Sequence, residues 1–149
     1  MRMPAIHVLT HDAISGGEDG PTHQPIEQLA SFRALPNCTV LRPGDSVEAV
    51  ECWQLALSIT DRPVLLVLSR LPLQTYRDYS DANPCCMGAY VLAEADKNRA
   101  ATIIATGSEV QVAMQAREIL AGKGVSVAVV SMPSWDLFER QDASYKKSV

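Results

Sequence analysis

The chain has 149 residues, 47% of them hydrophobic, with 13 basic against 17 acidic side chains and a formal net charge of -4. An acidic balance with no basic run excludes nucleic acid as an expected partner, and no apolar stretch approaches the roughly 20 residues of a membrane span. The opening MRMPAIHVL is too short and too lightly charged for a signal peptide, so the expected compartment is the cytoplasm.

The apolar run from Pro4 to Leu9 predicts a buried strand, with His7 as a core or edge side chain inside it. His11 to Pro25, HDAISGGEDGPTHQP, has no helical or alternating period and predicts a loop. It gathers His11, His23, Asp12, Glu18 and Asp19 among Gly16, Gly17 and Gly20. Titratable side chains at the carboxyl end of a strand in an open α/β sheet lie where such sheets bind ligands. The same composition also describes an ordinary turn with a capped helix after it.

Helical spacing of Ile26, Leu29, Ala30, Arg33 and Ala34 predicts a helix over Ile26 to Leu35, stopped by Pro36 and Asn37, and Cys38 to Leu41 predicts a short strand. Asp45, three residues before Glu48, has the spacing of a capping box. Val47, Val50, Trp53 and Leu57 then mark what looks like the core-facing stripe of a helix running to about Ser58. Pro63 to Ser69, PVLLVLS, suits a fully buried parallel strand. Three parallel strands form half of a doubly wound sheet and leave an open edge. The expectation is therefore either further strands before Met1 in the natural molecule or poor stability of the chain by itself.

Residues 70–87, RLPLQTYRDYSDANPCCM, lose periodicity and predict a linker. Gly88 to Glu94 and Ala100 to Ala105 suit a new sheet. Ser108 with Gln111 matches a capping box ahead of a helix marked by Val110, Ala113, Met114, Arg117 and Ala121, ending at Gly122 to Gly124. Val125 to Val130 predicts another buried strand, Pro133 to Trp135 a turn, and Trp135 to Tyr145 a mixed segment, helical in its last part. Thr106 to Glu109, TGSE, lies where an anion can sit at a helix N-terminus, but a simple cap is the preferred explanation. Cys38, Cys52, Cys85 and Cys86 form no CxxC pair or zinc spacing and are expected to be free thiols. The fold class is α/β: two partial three-layer α/β units with mostly parallel sheets, over residues 1–70 and 88–149, joined by a linker at 71–87.

HDAISGGEDGPTHQP followed by IEQLASFRALPN resembles the signature of the pyrimidine-binding domain of transketolases. The resemblance continues through VLRPGDSVEAVECWQLAL, LSR at Leu68 to Arg70, MGAYVL, IIATGSEVQVAMQA and SMPSWDLFERQDASYKKSV, and so covers nearly the whole chain. It implies transfer of two-carbon ketol units between sugar phosphates with thiamine diphosphate and Mg2+, and a homodimer or a complementary transketolase subunit as partner. It further implies that the cofactor-activating glutamate and the metal and diphosphate ligands lie outside this chain. A truncated transketolase or one chain of a split enzyme is then expected, inactive alone.

By motif, the resemblance implies that His11 and Arg70 hold the substrate phosphate, that Asp19 accepts a bond from a substrate hydroxyl beside the reactive carbon, and that His23 acts catalytically on a developing oxyanion or a proton. Without it, each residue has a plainer explanation: a solvated loop histidine, an Asp-Gly turn, an arginine pairing with an acid. Ser15 stands where the family usually has glycine, Gly16 where it has a larger residue, and Leu71 where glutamine is customary, changes expected to reshape the phosphate site. The alternatives are a related enzyme such as dihydroxyacetone synthase or deoxyxylulose-phosphate synthase, the latter disfavoured by GEDGPTHQP with SMPSWDLF, and a non-catalytic regulatory or binding remnant.

Overall fold

The structure, a computed structural model, describes residues 2–149, so Met1, at the edge of the first predicted unit, lies outside the described residues. The first sheet consists of β1 (Ile6–Thr10), β2 (Thr39–Leu41) and β3 (Val64–Leu68), in the order β1-β3-β2. All its pairings are parallel. The central strand β3 is the apolar run expected to be buried, and Val64, Leu65, Leu66 and Val67 are buried. It lies between two neighbouring strands.

β1 departs from expectation. His7, Val8 and Thr10 are exposed, because the strand has a single neighbour among the described residues and the short α1 (Gln28–Arg33) covers only part of it. An apolar groove of about 460 Å3, lined among others by His7, Leu9, Phe32, Leu35 and Leu65, opens over this edge. α1 is also shorter than the predicted Ile26 to Leu35, and Ile26 is 82% exposed.

The helix α2 (Ser46–Ser58) starts as its capping box predicts: the Asp45 carboxylate accepts from the Glu48 N–H at 2.8 Å. The return arm of the box reaches one residue further back, where Glu48 Oε2 accepts from the Gly44 N–H at 2.6 Å. The core face of α2 is the opposite of the one its apolar stripe suggests. Val50, Trp53 and Leu57 are exposed, while Glu48, Glu51, Cys52 and Ala56 are buried. The two acids tolerate burial because they are partnered. Glu48 Oε1 accepts from the Tyr90 hydroxyl at 2.7 Å, and Glu51 is held by the Arg77 guanidinium, which also donates to Tyr90.

Tyr90 belongs to the first strand of the second sheet, whereas Arg77 comes from the segment expected to be a linker. That segment runs along α2, with the Tyr76 N–H donating to Asp45 and Asn83 Nδ2 donating to the Glu51 carbonyl, and ends in a 3-10 turn, Pro84–Met87. Gly88 follows at φ +82, and a side chain there would collide with the backbone of Leu137 and Phe138. The second sheet is β4 (Tyr90–Ala93), β5 (Ala101–Ala105) and β6 (Val127–Ser131), in the order β4-β6-β5. β4 is antiparallel to β6, whereas β5 and β6 are parallel and joined by the crossover helix α3 (Glu109–Gly122). Among the described residues three of the four strand pairings are thus parallel.

Two short helices, α4 (Trp135–Glu139) and α5 (Ala143–Ser148), close the chain, so helix begins at Trp135, earlier than expected. One apolar cluster joins the halves: Leu41, Val64 and Leu66 of the first sheet, Cys52 and Ala56 of α2, Cys85, and Tyr90 of β4. All four cysteines are free thiols.

Candidate functional site

The parallel register pairs Thr10 with Leu68, so the carboxyl ends of β1 and β3 lie side by side. His11 directly follows β1, and Arg70 comes two residues after β3. Between them the 11–25 segment folds as two 3-10 turns, Gly17–Asp19 and Pro21–His23, separated by Gly20 at φ +77, a conformation that favours glycine. The first turn, closed by the Asp19 N–H on the Gly16 carbonyl at 3.2 Å, carries the Asp19 carboxylate back over the strand end.

One oxygen of that carboxylate is shared. Asp19 Oδ2 lies 2.9 Å from His11 Nε2 and 3.4 Å from Arg70 Nε. The His23 ring packs against His11 with centroids 5.2 Å apart, and its Nδ1 is 3.0 Å from Thr22 Oγ1, which leaves Nε2 for another partner. The structure therefore brings His11, Asp19, His23 and Arg70 together. His7 is elsewhere, exposed on the edge strand beside the apolar groove.

The His11 hydrogen bond, helped by the charges of Arg70 and the two histidines, holds the Asp19 carboxyl below its ordinary 3.8 against a smaller opposing effect of desolvation. A side chain added at Gly16 would begin 3.5 Å from the His11 ring and 3.7 Å from both Arg70 and Asp19. A larger residue thus fits there in ordinary contact, and glycine leaves the cluster more open. Leu71 presents its backbone N–H to Ser69 Oγ at 3.1 Å.

Two imidazoles, a guanidinium and one carboxylate form a donor-rich set suited to an anion with neighbouring hydroxyls. They do not suit a magnesium ion, which demands oxygen ligands. Among the described residues no group of three or more His, Cys, Asp or Glu side chains could hold a metal.

A second polar cluster lies immediately behind the first and was missed by the sequence analysis. Asp12, next to His11, is buried, and its Oδ2 accepts from Arg42 Nε at 3.1 Å and from the Ser108 N–H at 3.0 Å. Ser108 makes no side-chain cap on α3, and the TGSE turn instead receives the chain's own carboxylate. A weak signal existed: Arg42 and Ser108 follow strand ends, as Arg70 does.

Residues 1–75 match the family model of the transketolase pyrimidine binding domain, and residues 88–149 match that of the transketolase-like TK C-terminal domain. The chain belongs to the transketolase family. It is 52% identical to the transketolase of Sinorhizobium medicae over 151 aligned residues, covering 100% of this chain and 22% of that protein. The transketolase of Halalkalibacterium halodurans is 51% identical, with 100% and 23% covered. Among solved structures, a Pichia stipitis transketolase in complex with sedoheptulose-7-phosphate superposes with a TM-score of 0.90 at 42% identity, covering 98% of this chain and 21% of that one. An inactive β4 tetramer of a split-gene transketolase superposes at 0.65 with 28% identity, covering 87% and 38%. This transketolase-family chain thus spans about a fifth of the length of the first relatives it matches.

Proposed function

We propose that this chain supplies the sugar-phosphate-binding part of a transketolase, an enzyme transferring two-carbon ketol units with thiamine diphosphate and Mg2+. The observation that carries this is the single carboxylate oxygen of Asp19 shared by His11 and Arg70 at two adjacent parallel strand ends. An internal anion there occupies the place a substrate phosphate would take. When phosphate arrives, Arg70 and His11 bind it, since a guanidinium matches its planar pairs of oxygens and an imidazole donates beside it. Asp19 is then free to accept from the hydroxyl next to the reactive carbon, and an epimer leaves that carboxylate unpaired. His23, with Nδ1 turned to Thr22, offers Nε2 to oxygen charge developing at the reacting end.

Thiamine diphosphate, when bound, supplies the stabilisation of the substrate carbanion. By the resemblance to transketolases, magnesium and diphosphate are assigned to other parts of a complete enzyme. On this reading the chain divides into a pyrimidine-binding part at 1–70, a linker at 71–87 and a C-terminal part at 88–149. It works in the cytoplasm within a homodimer or with a complementary subunit, and has no ketol transfer alone. The split-gene relative described as inactive favours a second reading, a non-catalytic binding or regulatory partner of a complete subunit.

Calorimetric titration of the purified chain with sedoheptulose 7-phosphate tests the assignment. Binding that falls about tenfold to a hundredfold in Arg70→Ala, the loss of one charge-assisted contact, supports it. Binding that ignores both Arg70→Ala and His11→Ala refutes it.

A further inference from the structure

The residues behind the site bear on how it is held. Asp12 follows His11 in the chain, yet the two side chains do opposite things. His11 turns to Asp19, whereas the Asp12 side chain is 1% exposed and is enclosed by donors from both halves of the molecule. Arg42, the first residue after β2, approaches Asp12 Oδ2 with Nε at 3.1 Å and Nη2 at 2.9 Å. Its Nη1 donates to the Thr106 carbonyl at 2.9 Å and pairs with Glu109 Oε2 at 2.5 Å, and Nη2 also reaches Ser108 Oγ at 3.3 Å. The Ser108 N–H completes the ring by donating to Asp12. Gly107, at φ +58, has the guanidinium lying where its side chain would be. The ends of β1, β2 and β5, from two different sheets, are thus tied at one carboxylate.

For stability alone, a buried ion pair has no advantage over apolar packing of the same volume, because desolvation offsets its attraction. What it provides is direction: each hydrogen bond fixes an angle that apolar contact leaves free. The Asp12 carboxylate is fixed by two hydrogen bonds and an ion-pair contact, and His11 is the covalent neighbour of the residue that carries it.

We infer that Asp12, Arg42 and Ser108 are positioning residues for the sugar-phosphate site, a clasp by which the C-terminal half holds His11 in register with Arg70. The inference rests on the proposed sugar-phosphate site, and gives the C-terminal half a part in substrate binding although none of its side chains touches that site.

The test compares the chain with its Arg42→Lys, Asp12→Asn and Glu51→Gln variants. Lysine keeps the charge but cannot make the several directed bonds of the guanidinium, and asparagine keeps the shape of the carboxylate. Glu51→Gln breaks a second ion pair, with Arg77, whose carboxylate is as fully buried as that of Asp12 and which does not touch the loop. Two readouts are taken on folded protein: the carboxyl titration of Asp19 by NMR, and calorimetric binding of inorganic phosphate.

In both clasp variants the Asp19 midpoint is expected to climb back toward 3.8 as the His11 bond loosens, and phosphate affinity to fall about tenfold. Glu51→Gln is expected to lower the urea midpoint and leave both readouts alone. An Asp19 titration unchanged in the clasp variants, or moved equally by Glu51→Gln, overturns the inference. If Arg42→Lys does not fold, the isosteric Asp12→Asn decides. If the unsubstituted chain binds no phosphate, the site assignment falls, and the Asp19 titration still decides whether the clasp positions His11.

Discussion

Replacing Arg42 with methionine, which keeps most of the side chain's volume and removes its charge, strands the Asp12 carboxylate in the interior. The side chains of Arg42 and Asp12 are 4% and 1% exposed, so water cannot take over the lost bonds. Among the described residues the Ser108 N–H is then the donor left to the Asp12 carboxylate. Removing one partner of a buried pair costs about 3–5 kcal/mol, against a total stability of about 5–15 kcal/mol for a domain. With a urea slope of about 2 kcal/mol per molar, the unfolding midpoint should drop by about 1.5–2.5 M. The double variant Asp12→Asn with Arg42→Met removes the stranded charge and should recover at least about 1 kcal/mol relative to the single one. A single variant costing less than about 1 kcal/mol, or a double variant as unstable as the two singles summed, would refute the reasoning.

Gly107→Ala should be nearly as damaging as Arg42→Met, because a left-handed residue with a side chain costs about 1–2 kcal/mol and the new methyl also displaces the guanidinium. Circular dichroism melting of this variant beside Gly122→Ala, where a side chain meets nothing, checks the claim. Burial, outweighing the bonds it accepts, pushes the Glu48 carboxyl above its ordinary 4.5. Because the folded value is raised, the proton's contribution is fully present below 4.5 and is lost as pH rises through the folded value. Urea midpoints should therefore decline over that window in the parent chain more than in Glu48→Gln, and parallel pH profiles would count against it.

How much of this was legible in the sequence depends on whether a residue's partner is local. The loop at 11–25, the His11 imidazole and the Arg70 guanidinium could be placed because parallel strands put their carboxyl ends in one row, so position along a strand becomes position in space. β3 could be recognised from its unbroken apolar run. The face of α2 could not: counting apolar residues chooses Val50, Trp53 and Leu57, yet Glu48 and Glu51 are inside because Tyr90 and Arg77, 42 and 26 residues away, satisfy them. The same holds for Arg42, Asp12 and Ser108, whose contacts span 30 to 96 residues of chain and leave no periodic trace. β1 looked buried because its residues are apolar, and its exposure follows from its place at the sheet edge, which periodicity does not record.

A crystal structure of the chain soaked with sedoheptulose 7-phosphate bears most directly on the central claim. The phosphate is predicted to sit between His11 Nε2 and Arg70, displacing the Asp19 carboxylate, which turns to a sugar hydroxyl. A phosphate bound away from both strand ends, with the His11–Asp19–Arg70 contacts undisturbed, would contradict it.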